Sequence, residues 1–216
     1  MTGRSPLTVA GAAADLHRIP YSPSDLEGPS SAAYDLTSPV SNNPDRSAAL
    51  PNLHFILGGA RSGKSRHAEV LVQAHPAPWV YVATSQVFDN EMRARIAEHQ
   101  ARRSAEWVTV DAPLDLAVAL REAGNRPVLV DCLTLWLTNL MLGEHDIDAA
   151  AVAMQAALAE REAMTVLVAS EVGLGIVPDN ALARRFRDAA GLLHQRVAAA
   201  ADEVVLMVAG LPLKVK

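Results

Sequence analysis

One eight-residue segment, Gly58-Gly59-Ala60-Arg61-Ser62-Gly63-Lys64-Ser65, constrains the fold more than any other part of the chain. It completes the pattern Gly-x-x-x-x-Gly-Lys-Ser, which works only where a strand ends and a helix begins. Both flanks comply, since His54-Phe55-Ile56-Leu57 reads as a strand and Lys64-Ser65-Arg66-His67-Ala68-Glu69 opens a helical segment. The glycines let backbone N–H groups turn inward and approach phosphate oxygens closely, and the helix N-terminus adds positive partial charge. In such a loop Lys64 reaches the β and γ phosphates of a nucleoside triphosphate. Ser65 places its hydroxyl on Mg²⁺, an ion that prefers octahedral oxygen ligands and shares itself with phosphates and water.

From Leu53 onward short β-branched apolar runs alternate with longer amphipathic segments, the signature of βαβ units around a parallel sheet. Strands are expected at Leu53 to Leu57, Trp79 to Ala83, Val128 to Cys132, Val166 to Ala169 and Glu203 to Val208. Leu213 to Val215, after Gly210 and Pro212, is expected to return as a hairpin edge strand. Helices are expected at about 64–75, 89–103, 113–123, 133–142, 148–163 and 179–200. Aromatic residues make up only 4% of the chain, so Ala, Val, Leu and Ile must fill the core of this α/β layer fold.

Residues 1 to about 50 differ in kind. They hold eight serines and, with Pro51, seven of the 13 prolines, a composition that predicts a disordered or loosely packed N-terminal extension to a single domain at 51–216. Five acids, Asp15, Asp25, Glu27, Asp35 and Asp45, argue against a transit peptide. The start also lacks a secretory signal pattern, and no stretch approaches the roughly 20 apolar residues of a membrane span. The single cysteine, Cys132, sits in an apolar run and reads as a small buried hydrophobe. These features point to the cytoplasm. A net charge of −5 offers no basic field for gathering nucleic acid.

Val128-Leu129-Val130-Asp131 ends a strand on an acid. Such an aspartate is often a helix cap for the residues that follow, but beside a phosphate loop it is also the candidate for holding the metal's water shell. Four separated blocks then narrow the reading. They are Gly58 to Glu69, Tyr81-Val82-Ala83-Thr84-Ser85-Gln86 with Asp89 to His99, Glu171-Val172-Gly173-Leu174-Gly175-Ile176-Val177-Pro178, and Arg185 to Gly191. In order and approximate spacing they resemble the bifunctional adenosylcobinamide kinase and adenosylcobinamide-phosphate guanylyltransferase family of cobalamin biosynthesis, from about Leu53 to Lys216.

The resemblance implies a RecA-like P-loop NTPase fold, a homotrimer and two reactions. In the first, an NTP phosphorylates the aminopropanol hydroxyl of adenosylcobinamide. In the second, GMP passes from GTP to adenosylcobinamide phosphate through a guanylylated histidine. It places that histidine at His99 and the guanine-nucleotide contacts at Ala83, Thr84, Ser85, Gln100, Ala101, Arg102, Arg103, Asp111 and Asp131. With the loop residues Gly58 to Ser65 these form the expected nucleotide site. Lys64 and His99 are its catalytic groups, Ser65 and Asp131 hold Mg²⁺ partly through water, and GTP and ATP are substrates.

Local chemistry agrees with the transfer. Met92, Ile96, His99 and Arg103 fall at helical spacing on one stripe, which begins apolar and ends with an imidazole and a guanidinium. A neutral imidazole nitrogen attacks phosphorus near pH 7, and Arg102 or Arg103 can offset charge on the phosphate oxygens. His75, His145 and His194 have no comparable context and read as structural, while His67 belongs to the first block without an evident role. Two departures from the family pattern stand out. Ser170-Glu171 replaces a common Asn-Glu, and His194-Gln195 replaces a usual Asn-Gln. Two rival readings keep the phosphate loop: a kinase for another small alcohol, which leaves the block from Ala83 to Arg103 idle, and a non-catalytic GTP-binding switch.

Overall fold

A computed structural model of the chain describes residues 52–86 and 104–216. The expected N-terminal extension at 1–50 and the expected helix at 89–103 lie outside the described residues.

Seven strands form one sheet: β1 (Leu53–Gly58), β2 (Trp79–Ala83), β3 (Trp107–Asp111), β4 (Val128–Asp131), β5 (Thr165–Ser170), β6 (Glu203–Val208) and β7 (Leu211–Lys214). Their order is β3-β2-β4-β5-β1-β6-β7, with every neighbouring pair parallel except β6 and β7. One strand, β5, thus separates the loop-bearing β1 from the acid-bearing β4, as in the RecA-like P-loop fold.

The helices are α1 (Lys64–Gln73), α2 (Leu116–Glu122), α3 (Leu133–Leu142), α4 (Ile147–Ala159) and α5 (Ala181–Ala200). Both faces of the sheet are covered, so the central strands read as unbroken apolar runs and alternate residues serve two cores. Phe55, Val128, Val130, Leu167 and Ala169 point to the side of α2 to α5, where they meet Leu120, Trp136, Leu137, Met154 and Val197. Ile56, Leu129, Val166 and Val168 point the other way, onto Ala68 and Val72 of α1.

β3 is the element that the sequence pattern did not disclose. It is an edge strand in which Val108, Thr109 and Asp111 are exposed, so no apolar run marks it. Its anchor is Trp107, whose ring lies 5.3 Å from that of Trp79 and 6.2 Å from that of Tyr81. The expected helix at 148–163 stops at Ala159, because Arg161 turns inward and donates to the carbonyls of Leu120, Gly124 and Arg126. The terminal hairpin forms, but its second strand runs over Leu211–Lys214, starting two residues before the expected Leu213. Ala209 and Gly210 both take positive φ, 51° and 83°, as a two-residue type I′ turn requires, and Pro212 sits on the edge strand, where its missing N–H does least harm.

Candidate nucleotide site

The parallel register brings Gly58, Ala83, Asp111 and Asp131 to one end of the sheet. Ala83 is level with Asp111 on one side and Asp131 on the other, and Gly58 is level with Ser170. This is the carboxyl end of the strands, where open α/β sheets bind ligands.

The phosphate loop is shaped by contacts that tolerate no extra bulk. A Cβ on Gly58 would lie 2.4 Å from Ser62 Oγ and 2.9 Å from the carbonyl oxygen of Met207. Gly63 takes φ 93°, a left-handed conformation, and hands the chain to α1 as its N-cap with no side-chain cap bond. The first N–H groups of α1 thus receive no capping side chain. Ser62 Oγ is buried without a hydrogen-bond partner among the described residues. Lys64 Nζ donates to the loop's own Gly59 carbonyl at 3.2 Å. A loop with open donors and a lysine turned onto a neutral carbonyl suits a polyanion. The hairpin tip braces it from behind, where Gly210 N–H donates to the Ser62 carbonyl at 2.9 Å.

Asp131 is half-buried, and its carboxylate accepts from the Tyr81 hydroxyl at 3.2 Å. The helix-cap alternative fails, because the N-cap of α3 is Cys132 and no side-chain bond caps it. Ser65 and Asp131 both offer hard oxygens, the chemistry that magnesium takes. Cys132 is a buried thiol, raised to about 11 by desolvation and then by the charge of Asp131, so it stays protonated and unreactive.

Thr84 ties two strand ends together. It is fully buried, its hydroxyl donates to the Cys132 carbonyl at 2.7 Å and accepts from Cys132 N–H at 2.8 Å. Its own N–H donates to the Asp131 carbonyl, and its carbonyl accepts from Asn139 Nδ2 at 2.7 Å. Through these bonds Thr84 locks the ends of β2 and β4 together. Ser85 beside it is partly exposed, and Asp111 is exposed. His99, Gln100, Ala101, Arg102 and Arg103 lie outside the described residues.

A cavity of about 610 Å³ opens beside the loop, lined by Gly59 to Ser62, Glu171 and Val172, and the rim of β6. Glu171, Tyr81 and Asn139 were not singled out as site residues from the sequence. The visible signal for Glu171 was an acid directly after an apolar strand, the same signal that marked Asp131.

A family model described as cobinamide kinase / cobinamide phosphate guanyltransferase matches residues 54–215. The chain belongs to that family. Among curated relatives, the bifunctional adenosylcobalamin biosynthesis protein CobP of Pseudomonas aeruginosa is 51% identical over 167 residues, covering 75% of this chain and 96% of that one. The CobU proteins of Salmonella typhimurium and Escherichia coli are 45% and 43% identical, each over 75% of this chain and 98% of their own length. A more distant likeness is to the flagellar accessory protein FlaH of Methanocaldococcus jannaschii, with a TM-score of 0.44 and 13% identity over 77% of this chain and 80% of that one.

His194 Nδ1 lies 3.9 Å from Glu171 Oε2, and Ser170, adjacent to Glu171, donates its N–H to Thr134 Oγ1 at 2.6 Å.

Proposed function

We propose that the chain phosphorylates the aminopropanol hydroxyl of adenosylcobinamide with ATP or GTP. It then transfers GMP from GTP to the new phosphate, giving adenosylcobinamide-GDP and pyrophosphate. The observation that carries this reading is the phosphate loop, with its open donors and Lys64, lying within a family match that runs from residue 54 to 215. In the first step the alcohol oxygen attacks the γ-phosphorus while Lys64 and the loop N–H groups stabilise the charge spread over the phosphate oxygens. Ser65 and Asp131 would hold Mg²⁺, partly through water, and the ion would supply charge neutralisation for the triphosphate. In the second step an imidazole nitrogen of His99 attacks the α-phosphorus of GTP and expels pyrophosphate, and the corrinoid phosphate then displaces the imidazole.

Ala83, Thr84, Ser85, Asp111, Asp131 and the segment from Gln100 to Arg103 contact the nucleotide in this reading. The working form is a homotrimer in the cytoplasm. Support for all of this is the block pattern of the sequence together with the family match.

The test is covalent labelling. With Mg²⁺ and GTP labelled at the α-phosphorus, the denatured chain should carry an acid-labile label, whereas γ-label should not remain. His99→Ala should lose this label and GMP transfer while keeping phosphorylation, and Lys64→Ala should lose phosphorylation. A label that persists in His99→Ala moves the nucleophile to His67. An unlabelled wild-type chain reduces the reading to a plain kinase.

A further inference from the structure

Glu171 is the first residue after β5, the strand that lies between the phosphate-loop strand and the strand of Asp131. Its N–H donates to the Gly58 carbonyl at 3.0 Å, which fixes it against the start of the loop, and it lines the same cavity as Gly59 to Ser62. Two contacts aim its carboxylate. Gly173 N–H donates to Oε1, and a Cβ at Gly173 would come within 2.9 Å of that oxygen, so the glycine keeps the space open. Oε2 faces His194 Nδ1 at 3.9 Å, and His194 is buried with its ring 5.7 Å from that of Phe55.

Burial holds the His194 imidazole below its ordinary value, although the Glu171 charge opposes this, so the ring beside Glu171 is neutral at neutral pH. Among the described residues no lysine or arginine forms an ion pair with Glu171. The next residue, Val172, lines this cavity and also a second, apolar groove of about 560 Å³ between α3 and α5, bordered by Thr138, Met141, Pro178, Phe186 and Arg187. The Glu171–Val172 step therefore stands where a phosphate-binding space meets an apolar one. A half-buried carboxylate with no lysine or arginine partner among the described residues, placed at such a junction, is suited to receive a proton from an acceptor that approaches along the groove.

We propose that Glu171 is the general base of the phosphorylation step, which rests on the kinase reading above. As the acceptor hydroxyl oxygen bonds to the γ-phosphorus, its proton passes to Glu171 Oε2. The bond from the γ-phosphorus to the bridging oxygen breaks, and its electron pair leaves on the nucleoside diphosphate. Glu171 then returns the proton to water. His194 is a positioning residue that acts through Oε2. GMP transfer needs no such base, because its acceptor is already a phosphate oxyanion.

The experiment compares the two reactions in the full chain with Mg²⁺ and ATP or GTP. Glu171→Gln should lower kcat for phosphorylation of adenosylcobinamide by about 100-fold or more. The KM for the triphosphate and the rate of GMP transfer to adenosylcobinamide phosphate should stay within about threefold. Glu171→Asp, which keeps a carboxylate one methylene back, should phosphorylate faster than Glu171→Gln. Phosphorylation by Glu171→Gln within about threefold of wild type overturns the proposal. So does a matched loss of both reactions in Glu171→Gln and Glu171→Asp, or a raised Mg²⁺ requirement in place of a kcat effect. A wild-type chain that transfers GMP but does not phosphorylate removes the kinase reading itself, and this is visible before any variant is made.

Discussion

At Gly58 a single methyl group has nowhere to go, since one of its two nearest neighbours is the Met207 carbonyl of β6, which cannot move without disturbing the ladder. Gly58→Ala should therefore weaken triphosphate binding and lower stability by about 1–3 kcal/mol, measured by nucleotide titration and by urea unfolding. His194 carries a pH signature. Its folded-state value lies below the ordinary 6.5 because burial outweighs the attraction of Glu171, so the unfolded chain binds the proton more readily. Stability should fall as pH drops below about 6.5, and His194→Asn should flatten that acid limb in unfolding midpoints measured across the range. The loop residues were legible because their chemistry is contiguous in sequence. The bonds of Thr84 to the backbone were not, because its partner Cys132 lies 48 residues away.

Among the elements, α3 does more than fill the core. Asn139, buried on that helix, donates one N–H to the Thr84 carbonyl and another to the Pro113 carbonyl at 2.9 Å, tying the end of β2 to the turn after β3. Asn139→Ala leaves two carbonyls without this partner and should cost about 2–4 kcal/mol, read as a lower urea midpoint at unchanged slope. The described helices and central strands were legible from their periodicity, because burial on one or both faces leaves a pattern in the residues themselves. β3 was not, since its stability comes from Trp107 meeting Trp79 and Tyr81, a contact between segments that local patterning does not contain. α5 ends through a similar long reach, with Lys216 Nζ donating to the carbonyls of Ala198, Ala199 and Ala201.

For the whole molecule, the family match begins at residue 54, and every described site residue lies beyond that point. Removing residues 1–50 should leave phosphorylation and GMP transfer within about threefold of the full chain, measured as kcat/KM for each reaction. A loss of folding on truncation would give the extension a structural role. The bond from Gly210 N–H to the Ser62 carbonyl has a practical corollary. The outer strand of the hairpin, with Leu211 71% exposed, is mechanically joined to the loop that grips the triphosphate while lying clear of the cavity lining. An environment-sensitive dye attached through cysteine at Leu211, with the native thiol of Cys132 buried and protonated, would turn the hairpin into an optical gauge of loop occupancy, reading nucleotide affinity without corrinoid or turnover.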